Sequence, residues 1–360
     1  MEAADPEAKR RKLDEAAAET TEEPAKEEEN IEREADAPAD SRARLLPKQE
    51  AVGFRLRDCT LNVVPMRDGH VLTPLTGGGL QYFIGGARAS AGVSKGRYCF
   101  EVKIVAMLNP AEHAQALRGT APQPKQMLKI GFATQGSPLF LGETSDSVCF
   151  DSDGGFTSET KKEATGSRIA RDQTMALVLN LDPSSPNKNT VSLFKDGQRC
   201  SQPQPLPECL LGKPLFPVVN FRNMTVQVHF GPTPMVPLPF VCRGVQDLAK
   251  ADGVLAPPDT KKDGKYEVLL PVGLPDEGTF VWLDDFLAKH PEFTELSDRA
   301  ILKWAESSGM SRSPGSPWKH SNDKPDVKFN IPMMDDWSIR KVLSAIVASQ
   351  PRNYVVMEVK

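Results

Sequence analysis

Apolar and polar residues alternate with a period of two along most of residues 50–240. Leu128, Ile130 and Phe132 face one way, with Lys129 and Gly131 on the opposite face. Tyr98, Phe100, Val102 and Ile104 repeat the pattern with Glu101 and Lys103 facing outward, and Met175, Leu177, Leu179 and Leu181 repeat it again. Alternation of this kind marks half-buried antiparallel strands. Turn residues interrupt it at Gly136-Ser-Pro138 and Asp151-Ser-Asp-Gly-Gly155, and an Asp196-Gly197 hairpin signal follows Val191-Ser-Leu-Phe-Lys195. Leu215-Phe-Pro-Val-Val-Asn-Phe221 and Val226-Gln-Val-His-Phe230 close the series, with His229 at an outward rim position. Many short strands separated by such turns predict a mainly β fold, a two-sheet sandwich filled by its alternating inner faces. The Pro/Ala-rich stretch 109–127 interrupts two good strands and is expected to be a tolerated insertion.

Beyond residue 240 the period changes. Residues 241–264 read as a linker and 265–360 as a small α/β segment. Tyr266-Glu-Val-Leu-Leu-Pro-Val272 predicts a buried strand and Phe280-Val-Trp-Leu-Asp-Asp-Phe-Leu-Ala288 an amphipathic helix. Ile339, Val342, Leu343, Ile346 and Val347 form one apolar helical stripe before a last strand around Tyr354-Val-Val-Met357.

Charge separates a third region. Residues 1–40 carry 15 Asp/Glu against 6 Lys/Arg, whereas the remainder carries 33 against 38. The stretch 1–48 has almost no large apolar residues, cannot offset its ordering entropy and is expected to be disordered. Within it, Lys9-Arg-Arg-Lys12 followed by Leu13-Asp14 resembles a short nuclear localisation signal, which importin receptors bind in extended form. The expected location is therefore the nucleus. No run of about 18 apolar residues predicts a membrane span. The six cysteines are dispersed without a Cys-x-x-Cys pair, a usage that suits a reducing compartment and offers no zinc site.

Two stretches carry candidate chemistry. Glu143, Asp146, Asp151 and Asp153 could form a carboxylate pair or begin a calcium loop, but the remaining ligand positions and the closing Glu are missing, so a solvated acidic turn is the simpler reading. No nucleophile motif accompanies them. Gly273-Leu-Pro-Asp-Glu-Gly278-Thr279-Phe280 has the frame of a phosphate-binding loop between a strand and a helix. That loop needs Lys to neutralise phosphate and a hydroxyl to hold magnesium. Thr279 and Phe280 stand at those positions, and Asp276 and Glu277 add repulsive charge, so nucleotide is not expected to bind. No cofactor, metal or catalytic residue is expected.

These motifs fall in a familiar order. Arg88-Ala-Ser-Ala-Gly-Val-Ser-Lys-Gly96 leading into Tyr98-Cys-Phe-Glu101, then Ile130-Gly-Phe-Ala-Thr134, Leu141-Gly-Glu143, Phe194-Lys-Asp-Gly197 and Val228-His-Phe-Gly231, resemble a SPRY domain over roughly residues 52–240. The resemblance is nearest to the heterogeneous nuclear ribonucleoprotein U family, in which a kinase-like P-loop domain introduced by a segment like Val272-Gly-Leu-Pro275 follows the SPRY domain. Met357 stands where that family has an acidic residue.

The resemblance implies a bent, concanavalin A-like sandwich that binds protein partners through its loops, followed by a degenerate P-loop remnant. It places the partner-facing rim at Ser137–Asp153, with Arg88, Glu143, Asp146, Asp151 and Asp153 as contact residues. It also implies a non-enzymatic role in RNA-processing assemblies. The family's SAP segment and Arg-Gly-Gly tail have no counterpart in these 360 residues, so any RNA association is expected to be indirect. The SPRY subunits of histone methyltransferase complexes share the Arg-Ala-Ser lead-in and Phe230-Gly-Pro232, which makes a chromatin-complex subunit the alternative.

Overall fold

The computed structural model describes residues 52–67, 69–77, 79–109, 125–166, 168–256, 265–274, 278–310, 344, 346 and 350–357. The tail with Lys9, Arg10, Arg11 and Lys12, the stretch 110–124, Asp276, Glu277 and most of the 339–347 stripe lie outside them.

The period-two segments form two sheets, antiparallel along their length. One orders Phe54–Cys59, Gly85–Ala89, Leu215–Arg222, Met127–Thr134, Ser147–Asp151, Gly155–Ser158 and Lys161–Ala164. The other orders Gln198–Arg199, Thr190–Lys195, Thr174–Leu181, Gly96–Met107, Met224–His229, Val71–Pro74 and Val63–Met66. Their inner faces meet as the alternation requires: Leu128, Ile130 and Phe132 from one sheet and Tyr98, Phe100, Val102 and Ile104 from the other share a single buried cluster. Phe100 meets Phe132 edge-on at 5.3 Å across the sheets. Each buried aromatic of this kind contributes about 1.5–3 kcal/mol through removal from water.

The outer faces depart from the simple pattern. Glu101, expected outward in solvent, is buried, and its carboxylate accepts the backbone N–H groups of Met235 (2.6 Å) and Val236 (3.2 Å). A strap through Leu238, Phe240 and Cys242 covers that face, packing on Cys99, Ala176, Val178 and Phe194. The alternation correctly gave the side of the strand, but it carried no information about what lies over that side.

The expected linker also differs. Arg243–Gly244 pairs in parallel with Tyr98 and Cys99, and Gly253–Leu255 pairs with Ala91–Val93. Val245 and Leu248 enter the main core. Residues 243–256 therefore belong to the sandwich, and only 257–264 separate it from the C-terminal segment. Tyr98 fixes this return: its hydroxyl donates to Asp252 at 2.7 Å and accepts from the Ala249 N–H at 3.1 Å. Burial, with Asp252 adding to it, pushes the Tyr98 phenol up to about 12. Tyr98→Phe is expected to lower stability by about 1–3 kcal/mol, because it takes a partner from the half-buried Asp252 carboxylate and from the buried Ala249 N–H. Chemical denaturation reads this directly, and an unchanged midpoint would show that the clasp is dispensable.

The C-terminal segment forms a three-stranded parallel sheet with Asn353–Met357 in the middle, flanked by Val268–Leu269 and Phe293–Ser297. Helices Thr279–Lys289 and Asp298–Ser307 accompany it. Ser297 caps the second helix by accepting the Ala300 N–H. The strand expected to be buried is instead exposed: Val268, Leu270 and Val272 face solvent, Val272 at 89% exposure. Among the described residues it pairs with Asn353–Met357 alone, at the edge of the sheet, and a hydrophobic run in the sequence does not reveal edge position.

Candidate functional site

The rim loop between strands Met127–Thr134 and Ser147–Asp151 crosses the outer face of the first sheet, and polar contacts hold it along its length. Arg88, only 2% exposed, donates through Nη2 to the Ser137 carbonyl and, at 3.1 Å, to the Ser137 hydroxyl. Its other nitrogen lies 3.7 Å from Asp58. Burial lowers the Arg88 pKa and Asp58 opposes that shift. Asn220 donates to the Leu139 carbonyl and accepts from the Leu141 N–H, each at 2.7 Å. Lys129 donates to the Leu141 carbonyl at 2.9 Å, and the Ser147 hydroxyl accepts the Gly142 N–H at 3.0 Å. Gly86 makes this close approach possible, since a Cβ there would sit 2.9 Å from the Asn220 amide and 3.0 Å from the Leu139 carbonyl.

The five expected rim residues divide by burial. Arg88 and Asp151 are buried and act on the protein's own backbone. Asp151 Oδ1 accepts the N–H groups of Asp153 (2.9 Å) and Gly155 (3.0 Å), and Oδ2 meets Lys162 at 2.6 Å. That hydrogen bond raises the Lys162 pKa. Both side chains are engaged within the domain, where they hold the backbone of the rim loop and of the turn that follows it. Glu143 and Asp153 are exposed and Asp146 is partly so. His229, at the expected rim, places Nε2 2.6 Å from the Thr233 carbonyl.

Glu143 borders an element the strand pattern did not foresee there. The Ser307 hydroxyl, from helix Asp298–Ser307, lies 3.4 Å from its carboxylate. Although the residue is exposed overall, the shielding at this end raises the Glu143 pKa, opposed by Ser307, Lys129 and Lys303. The folded state thus holds the proton more tightly than the unfolded chain, and Glu143's contribution to stability must fall as pH rises. It is fully present below the ordinary value of 4.5 and is lost through the raised one. Melting curves across that window are expected to show wild type losing stability relative to Glu143→Gln as pH rises; parallel curves would refute the shift.

Further contacts join the same helix to the sandwich. Ile301, Leu302, Trp304 and Ala305 pack on Leu80, Tyr82 and Phe83, with Phe140 of the rim loop at the margin. On another side Gln350, fully buried, donates to the carbonyls of Leu61 (2.8 Å) and Val63 (2.6 Å), and Arg352 donates to Cys59 at 2.9 Å. No helix was expected over these residues, although the spacing of Ile301, Leu302, Trp304 and Ala305 before Ser308-Gly309 carries an amphipathic signal. Nothing in the pattern pointed to its receptor.

At the phosphate-loop frame, Gly278 adopts φ +80° before the helix opens at Thr279. Phe280 is buried with Leu283, Val355 and Met357. Gly273 has φ +70°. Among the described residues, no group of three or more His, Cys, Asp or Glu is placed to hold a metal, and no helix is long and apolar enough to cross a membrane.

No protein-family model matches the chain. Among curated proteins it is 26% identical over 244 residues to heterogeneous nuclear ribonucleoprotein U-like protein 2 of Mus musculus, covering 64% of this chain and 30% of that protein. The Homo sapiens protein of the same name is 25% identical over 239 residues with the same coverage. The chain thus spans about 30% of the length of these relatives. Among solved structures, the SPRY domain of human HERC1 aligns at TM-score 0.36 and 20% identity, covering 49% of this chain and 97% of that one. Another human SPRY domain aligns at TM-score 0.33 and 23% identity, covering 49% and 96%.

Proposed function

We propose that residues 52–256 form a SPRY-type protein-interaction module of a nuclear ribonucleoprotein or RNA-processing assembly, without enzymatic activity of its own. The observation that carries this reading is the rim loop: a surface segment fixed by Arg88, Asn220, Lys129 and Ser147, presenting Glu143, Asp146 and Asp153 outward. Pre-ordering a loop lowers the entropy lost on binding, which suits recognition. The similarity to ribonucleoprotein U-like proteins supports the RNA-related setting. Association with RNA runs through protein partners in this reading, and Lys9-Arg-Arg-Lys12 supplies importin-dependent entry into the nucleus.

The segment 265–360 is, in the same reading, a P-loop remnant that has lost nucleotide. A strand, a glycine-bounded loop, a helix and a parallel sheet support the ancestry, while Thr279 and the buried Phe280 replace the groups that would hold phosphate and magnesium. Calorimetric titration of the chain with magnesium and ATP should give no saturable heat; micromolar binding would overturn the remnant reading.

Affinity purification with and without nuclease tests the module. Ribonucleoprotein components should be recovered by the wild-type chain and reduced several-fold by Glu143→Lys with Asp146→Lys. Methyltransferase subunits in their place would favour a chromatin role, and undiminished recovery by the variant would put the binding surface elsewhere.

A further inference from the structure

The manner in which the sandwich holds helix Asp298–Ser307 resembles the recognition of a separate protein. Its apolar side chains and the loops that receive them make a cluster apart from the core between the sheets. Trp304 is the anchor, 8% exposed, with its ring 4.5 Å from Phe83 and its indole N–H donating to the Ile84 carbonyl at 2.9 Å. A deeply seated tryptophan with its polar atom satisfied is the usual centre of a protein interface.

The other polar contacts read the end of the helix. Ser308 closes it, its hydroxyl accepting the Ile84 N–H at 2.9 Å and its carbonyl accepting from Arg222 at 3.2 Å. Gly309, at φ +83°, donates to Glu306 at 2.8 Å, and Met310 donates to Ala305 at 3.1 Å, which together make a Schellman turn. Met310 then packs back on the tryptophan cluster. Arg222 sets a half-buried positive charge against the negative end of the helix dipole, although its partial burial lowers its pKa. Loops that merely abutted a neighbouring domain would not need a main-chain N–H, a carbonyl and an arginine all aimed at one helix terminus. The unit supplying the helix has only small apolar clusters of its own among the described residues, around Phe280 and around Tyr354.

We infer that this end of the sandwich is a receptor for an amphipathic helix that ends in a Schellman turn, with tryptophan four residues before the capping serine. Residues 297–310 fill it in cis, and the partner is a protein that offers a helix of the same kind and displaces them. The inference rests on the interaction-module reading and deepens it by naming the ligand class.

A fluorescent peptide of residues 295–311 titrated into the full chain tests it. The Trp304→Ala chain, whose own helix is loosened, should bind the peptide at least about tenfold more tightly than wild type, because in wild type the open socket is only a minor fraction. The peptide carrying Trp304→Ala should bind neither chain. Ile301→Ala provides a gentler opening should the tryptophan variant not fold. No binding to either variant, with the sandwich shown folded by its melting transition, overturns the inference. So does equal binding of the tryptophan-less peptide, or a wild-type dimer that exchanges the helix between copies. Peptide failure alongside intact, rim-dependent partner capture sinks the receptor alone; loss of rim dependence with the peptide still bound sinks the rim reading alone.

Discussion

Replacing Trp304 with alanine is expected to destabilise the docked C-terminal unit by about 3–5 kcal/mol, the range for deleting a buried tryptophan. The side chain fills the space beside Phe83 and satisfies the Ile84 carbonyl, so the substitution leaves both a cavity and an unpaired acceptor. The effect should be local. Hydrogen exchange is expected to rise in Phe293–Ser297 and Asn353–Met357, which belong to the small parallel sheet. Protection in Met127–Thr134 should persist, because that strand is paired on both sides within the sandwich. Uniform loss of protection would mean that the two parts unfold together, and no change would mean that Gln350 and Arg352 hold the unit by themselves.

Arg88→Met should lower the stability of the sandwich by about 3 kcal/mol, at the low end for breaking a buried ion pair because Asp58 is partly exposed. Methionine suits the buried path of the side chain, but the Ser137 carbonyl and hydroxyl lose their donor. The rim loop should then become the first site of limited proteolysis, and partner capture should fall because the loop that Arg88 holds is released. Arg88→Lys is not expected to rescue either property, since one ammonium cannot serve Asp58 and Ser137 at once as the planar guanidinium does. Retained resistance to protease in Arg88→Met would remove Arg88 from the positioning role.

The period-two alternation was sufficient for the inner faces of the sandwich. Leu128, Ile130 and Phe132 could point only one way together, and the same holds for Tyr98, Phe100, Val102 and Ile104. The hairpin at Asp196-Gly197 was also legible, because those residues act on their own backbone. Local sterics and burial decide such features within a few residues. The outward faces were not legible. Glu101 and Arg88 are charged residues that a pattern assigns to solvent, yet each is buried because a segment distant in sequence supplies its partners. Met235 lies 134 positions from Glu101, and Ser137 lies 49 from Arg88.

The phosphate-loop frame shows the same division. Its missing lysine and hydroxyl were visible at Thr279 and Phe280, since they depend on residue identity at fixed spacing. The placement of its strand at an exposed edge, and the docking of its second helix onto the rim, depend on contacts between segments far apart in the chain; Ser307 lies 164 positions from Glu143. By itself, the sequence determined the strand content and the faces turned to the core, both of which follow from short-range periodicity and side-chain type. The tertiary structure alone decided which charges are buried, which acids of the rim stay at the surface, and that the sandwich already holds a helix at its loop end. Those outcomes arise where distant backbone donors and acceptors meet, and no local pattern carries that information.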